Sequence, residues 1–206
     1  MKTINLALTE KRKIACDGYI YPADLFDIPE IEGYRDLKRI KEYAKEKLAA
    51  WSDCRCRVYV NGGLAVELLS LLQAAKELKI ELELLHYDLC TGLYCSQELK
   101  WKPCDSSEKS DLPEMVLCEG RHCIKTAESI YKELPEDKIL DFQWLEKEAQ
   151  KKLQPYQGKT VRIYLTGLSP LYCCVLNVAS ELGINVIFLH YDYDEEEYFE
   201  QPMVAG

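Results

Sequence analysis

Three features of the sequence predict an α/β chain built as two tandem copies of one strand-helix-strand unit. The first is an internal duplication. Arg57-Val58-Tyr59-Val60-Asn61-Gly62 lies over Arg162-Ile163-Tyr164-Leu165-Thr166-Gly167, and with Gly63 taken as a one-residue gap the match resumes at Leu64 and Leu168. It runs through Leu85-His86-Tyr87-Asp88 against Leu189-His190-Tyr191-Asp192 and reaches Tyr94 and Gln97 over Tyr198 and Gln201. The alignment holds 15 identities in 40 pairs, where about two or three would arise by chance, and its spacing is too long for a solenoid repeat. The second feature is a switch of hydrophobic period inside each copy, from helical spacing to β-branched runs and back. The third is composition: 206 residues with 48% hydrophobic and 30% charged side chains describe a folded chain of one ordinary domain or two small ones.

Each copy opens on a short apolar run, Ile4 to Leu8 and Met115 to Cys118, consistent with a buried strand. The N-terminal ends align more loosely, with Leu6 over Val116 and Arg12 over His122. A helix follows from the i, i+3, i+4 spacing of Leu37, Ile40, Tyr43, Ala44, Leu48 and Trp51 in one copy and of Ile139, Phe142, Leu145, Ala149 and Leu153 in the other. Then come a strand (Arg57 to Asn61; Val161 to Thr166), a glycine turn, an apolar helix and a second strand that ends at His-Tyr-Asp. Such a crossover demands parallel neighbours, so each copy is Rossmann-like. The stretches Leu89 to Tyr94 and Tyr193 to Tyr198 read as turns into a short antiparallel edge strand, with Gly92 supplying a permissive backbone.

The domains expected are 1–99 and 114–206, joined by a polar, proline-bounded linker over 100–113. A unit of about ninety residues is marginal alone, so the copies are expected to pack as an intramolecular pseudo-dimer about a pseudo-two-fold axis. The net charge of −9 argues against a protein that coats long nucleic acid. Apolar runs of about a dozen residues are too short for a membrane span, and the N-terminus has no secretory pattern, so a cytoplasmic protein is expected. In that setting the ten cysteines read mainly as small buried hydrophobes, because paired metal-binding knuckles are missing. No metal or cofactor is expected.

In open α/β sheets ligands bind beyond the carboxyl ends of the strands. Four features fall there in each copy. The turns Asn61-Gly62-Gly63 and Thr166-Gly167-Leu168-Ser169-Pro170 would let a phosphate approach backbone amides, with Ser169 as the helix N-cap and Pro170 in the first turn. The loops after the opening strands carry Thr9, Glu10, Lys11 and Arg12 in one copy and Gly120, Arg121 and His122 in the other. A guanidinium there could clamp a phosphate bidentately, against the plain alternative of a solvated loop. His86 and His190, with the rest of their triplets, would serve in ligand contact or in the seam between copies. Tyr94/Tyr198 and Gln97/Gln201 could stack on and read a base, or simply pin the edge ribbon, which is the favoured reading.

Two tandem Rossmann-like units, a short basic loop after the opening strand and a Thr166-Gly167-Leu168-Ser169-Pro170 turn before an apolar helix resemble the CRISPR-associated Rossmann fold (CARF) superfamily and its small ring-nuclease relatives. The likeness covers the cores of both copies. It implies a protein that binds, and in ring nucleases cleaves, a cyclic oligoadenylate lying across a two-fold axis, here supplied by one chain. The ligand would meet the Thr9 to Arg12 and Gly120 to His122 loops and the Gly62 and Gly167 turns. Cleavage would need no metal: a ribose 2′-hydroxyl held in line attacks its own phosphate, Arg12 and Arg121 stabilise the charge, and His122 moves the proton. A pure sensor or sponge and an ordinary mononucleotide or dinucleotide protein stay open as alternatives, as does a homodimer. The dinucleotide reading is disfavoured because neither turn completes G-x-G-x-x-G and no P-loop lysine follows.

Overall fold

The computed structural model describes residues 2–9, 23–26, 35–60, 64–102, 112–119, 124 and 128–203. The chain divides into two compact units, Met1–Leu99 and Lys100–Gly206. In the first, strands β1 (Lys2–Thr9), β2 (Ala23–Phe26), β3 (Cys54–Val60), β4 (Leu82–Tyr87) and β5 (Tyr94–Glu98) form a sheet of order β2-β1-β3-β4-β5. All neighbours are parallel except β5, which runs antiparallel to β4. Helices α1 (Leu37–Ala49) and α2 (Ala65–Glu77) pack on one another.

The second unit repeats this plan with β6 (Glu114–Cys118), β7 (Glu128–Tyr131), α3 (Phe142–Leu153), β8 (Thr160–Tyr164), α4 (Ser169–Leu182), β9 (Asn185–Asp192) and β10 (Glu197–Pro202). Its sheet order is β10-β9-β8-β6-β7, again with only the last added strand, β10, antiparallel. The crossovers through α2 and α4 join parallel neighbours, whereas those through α1 and α3 run from the edge strands β2 and β7 past the opening strand to β3 and β8.

Periodicity explains where the core sits. On α1, Ile40, Ala44 and Leu48 are buried at intervals of four, and on α3 the same holds for Leu145, Ala149 and Leu153. Leu6, Val58 and Leu84 in the first sheet and Met115, Ile163 and Phe188 in the second are wholly buried. α2 and α4 are apolar nearly all round and buried accordingly. Both amphipathic helices start at an aspartate that accepts a backbone hydrogen bond three residues on: Arg39 N to Asp36 Oδ1 at 3.0 Å and Trp144 N to Asp141 Oδ1 at 3.1 Å.

The structure departs from the sequence reading in several places. The parallel edge strands β2 and β7 were not anticipated, because four-residue edge segments carry too little pattern to stand out. Trp51 and Ile139 lie in turns outside α1 and α3. The N-cap of α4 is Leu168, in extended backbone, so Ser169 is the first helical residue and not the cap. The register of the opening strands also shifts by one. Asn5 is level with Arg57, whose counterpart Arg162 is level with Glu114, so Ala7 corresponds to Val116 and Thr9 to Cys118. Finally, residues 100–102, read as the start of the linker, lie on α4. Lys100 N donates to Asn177 Oδ1 at 2.8 Å, Lys102 N donates to Ser180 Oγ at 3.0 Å, and Trp101 is buried. Residues 103–111 lie outside the described residues.

Candidate functional site

The sequence assigns its candidate residues to the carboxyl ends of the strands of each unit. Of these, Glu10, Lys11, Arg12, Asn61, Gly62, Gly63, Gly120, Arg121 and His122 lie outside the described residues, as does the side chain of Thr9, whose backbone ends β1. The three residues expected to be catalytic, Arg12, Arg121 and His122, are among them. The remaining candidates, Thr166, Gly167, Ser169, His86 and His190, are described in full.

Thr166 closes the end of the second sheet. The β6–β8 ladder stops at Val116 and Tyr164, two residues before Cys118. The Thr166 hydroxyl bonds there twice: Oγ1 donates to Cys118 O at 2.7 Å and accepts from Cys118 N at 3.0 Å. A single buried hydroxyl thereby bonds both polar groups of one peptide residue. Gly167, next in the turn, sits in tight quarters. A Cβ there would lie 3.2 Å from Leu117 Cδ2 and 3.3 Å from Leu171 Cδ2, so glycine lets strand and helix approach closely. In the first unit the corresponding helix start is held differently: Glu67, buried at the third position of α2, accepts from Leu64 N at 2.8 Å. Its counterpart in α4 is Leu171, so only the first copy has a buried carboxylate there.

The duplicated His-Tyr-Asp triplet and its downstream Tyr and Gln form one assembly in each copy. His86 Nε2 lies 2.8 Å from Gln97 Oε1, and His190 Nε2 lies 2.8 Å from Gln201 Oε1. A carbonyl oxygen only accepts, so both rings are in the Nε2–H form and donate. Burial lowers both imidazole pKa values to about 4, against the opposing effect of the glutamine bond, and keeps the rings neutral. These pairs tie β4 to β5 and β9 to β10 from the buried side. The aspartates start the turns: Asp88 Oδ1 accepts from Cys90 N and Asp192 Oδ1 from Asp194 N, both at 2.9 Å.

The tyrosines form triads of matching geometry. Tyr59 and Tyr94 meet edge to face at 4.8 Å and 84°, as do Tyr164 and Tyr198. Tyr87 tilts against Tyr94 at 5.2 Å and 57°, and Tyr191 against Tyr198 at 5.1 Å and 56°. Below each triad lies an ionic cluster. Arg57 Nε is 2.9 Å from Glu83 Oε2, and Ser96 Oγ donates to Glu83 Oε1 at 2.6 Å. Burial works to raise the Glu83 pKa, but the bonds from Ser96 and Arg57 outweigh it and hold the carboxyl below its ordinary range. In the second copy Arg162 bridges Glu200 at 2.7 Å and Glu114 at 3.5 Å, and Tyr164 Oη donates to Glu114 at 2.8 Å. Among the described residues, no group of three His, Cys, Asp or Glu is placed to hold a metal, and no helix is long and apolar enough to cross a membrane.

No protein-family model matches the sequence, and no curated protein is significantly similar to it. Solved structures do match over almost the whole chain. The Moraxella osloensis Cap4 SAVED/CARF-domain containing receptor is 12% identical with a TM-score of 0.54, over 97% of this chain and 49% of that one. The fold is CARF-like. The Acinetobacter baumannii Cap4 SAVED/CARF-domain containing receptor, solved with the cyclic trinucleotide 3′3′3′-cAAA, is 11% identical with a TM-score of 0.51, over 98% of this chain and 49% of that one. The chain therefore spans about half the length of the CARF-like receptors it matches, and the likeness takes in both sheets.

Proposed function

We propose that the chain is a receptor module for a small cyclic oligonucleotide, bound at the carboxyl ends of its parallel strands. The observation that carries this reading is the CARF-like fold shared, over 98% of the chain, with a receptor solved with a cyclic trinucleotide. The doubling of the strand-end architecture agrees with it, since a ring of repeated nucleotides offers repeated phosphates to repeated loops. In this reading the loops from Thr9 to Arg12 and from Gly120 to His122, with the turns at Gly62 and Gly167, meet the phosphates, and the two copies supply equivalent halves of one cleft as a pseudo-dimer. The shift of strand register bears on this: Arg12 and Arg121 each stand three residues beyond the corresponding positions Thr9 and Cys118. Counted on along the sequence from those positions, Arg12 falls over Arg121 in this reading and not over His122.

Sensing requires only binding. Cleavage would additionally require a ribose 2′-hydroxyl in line with its phosphate and a proton acceptor, the role reserved for His122. Titrating the purified chain with cyclic tri- and tetra-adenylate by calorimetry tests the proposal. Saturable binding is expected, weakened about tenfold or more by Arg12→Ala and by Arg121→Ala, as for loss of a charge-assisted phosphate contact. Binding of adenosine monophosphate or a dinucleotide in preference to either ring would overturn it. Chromatography of the same mixtures reads linear product and so separates receptor from ring nuclease.

A further inference from the structure

The tyrosine triads are more than the fold needs. Alternation along the strands places Tyr59, Leu85 and Tyr87 on one face of the first sheet, while Val58, Leu84 and His86 occupy the other, fully buried face. The second sheet repeats this with Tyr164, Leu189 and Tyr191. Leucine is accommodated on the same face between the tyrosines, so an apolar strand position there does not by itself call for phenol rings. All three tyrosines recur in both copies with angles matched to 1° and centroid distances to 0.1 Å. Tyr87 is 40% exposed, and Tyr193, 74% exposed, extends the second triad by meeting Tyr191 edge to face at 4.9 Å. Both triads stand at the carboxyl ends of β4 and β9.

We propose that the two triads are purine-stacking platforms, each able to take one base of a cyclic oligonucleotide, with Tyr87 and Tyr191 as the rings that meet it. The proposal rests on the receptor reading above. Edge-to-face contacts hold each ring in place before the ligand arrives, so little conformational freedom is lost on stacking. The charge of the chain gives such a contribution added weight. At a net charge of −9, long-range attraction for phosphate is weak, and the arginines beside the triads are already paired, Arg57 with Glu83 and Arg162 with Glu114 and Glu200. A neutral aromatic face binds any base independently of that field.

The test uses cyclic triadenylate with Tyr87→Leu, which keeps apolar bulk without a π face, and Tyr87→Trp, which restores one. Tyr191 is treated in the same way, and thermal melts confirm that each variant is folded. The leucine variants are expected to bind about tenfold or more weakly. The tryptophan variants are expected to bind within about threefold of the parent and to lose indole emission as the base stacks. Leucine variants that bind as tightly as the parent, or indole emission unchanged at saturation, would overturn the platforms while leaving the receptor reading intact. A parent chain that binds no cyclic oligoadenylate overturns both.

Discussion

Thr166 shows how a residue chosen for ligand chemistry can be explained by the backbone. Its hydroxyl bonds both polar groups of Cys118, so Thr166→Val removes two buried hydrogen bonds at once. That change is expected to cost about 1 to 3 kcal/mol of stability in urea unfolding, and Thr166→Ser about 1 kcal/mol, because the serine keeps both bonds. Equal losses for the two variants would remove the hydroxyl from the account. The type of residue was legible in the sequence, since a threonine between a strand and a glycine turn marks a strand end. Its partner was not, because Cys118 is 48 positions away and the end of the ladder appears only once β6 and β8 are aligned. Lys79 and Glu196 carry a second lesson at this scale. They are the non-glycine residues of positive φ among those described, at 57° and 54°, and each corresponds to a glycine in the other copy: Gly183 at 63° and Gly92 at 70°. Lys79→Gly and Glu196→Gly are each expected to raise stability by up to about 1 kcal/mol, the relief of left-handed backbone less the entropy of the freer chain. A loss of stability in both would contradict it.

The edge ribbons are the elements whose logic was half visible. An antiparallel strand after each His-Tyr-Asp triplet was legible from turn chemistry, but the partnership of histidine with glutamine 11 residues later required the hairpin register, His86 level with Cys95 and His190 with Phe199. The register of β1 against β6 was misread by one because alternation fixes which face a residue takes only when the partner strand is known. Burial of the two imidazoles gives the ribbons a pH signature. Each has a folded pKa of about 4 against an ordinary value of 6.5, so the unfolded chain binds the extra protons between those values. Stability is therefore full above pH 6.5 and falls as pH drops toward 4, with a slope of about 1.4 kcal/mol per pH unit for each histidine at its steepest. His86→Gln and His190→Gln should each remove up to one proton from that slope. Denaturant titrations at half-unit intervals check this, and an undiminished slope in the double variant would contradict the buried-neutral assignment.

At the scale of the whole chain, duplication was the most legible property, because identities at a constant offset need no knowledge of structure. It extends further than the sequence comparison reached: Asp36 and Asp141 cap equivalent helices, and the sheet orders are the same. The site was less legible than the fold. The retained histidine, aspartate and glutamine of each copy are held by ribbon contacts, so retention alone did not mark ligand contact. Selectivity for a ring should rest on both copies at once, whereas a mononucleotide needs only one. The most direct test is amide hydrogen exchange of the full chain with and without cyclic triadenylate. The account predicts added protection in both copies together, over residues 9–12 and 61–64 and over 118–122 and 166–169. Protection confined to one copy, or exchange unchanged at saturating ligand, would contradict a receptor built from two equivalent halves.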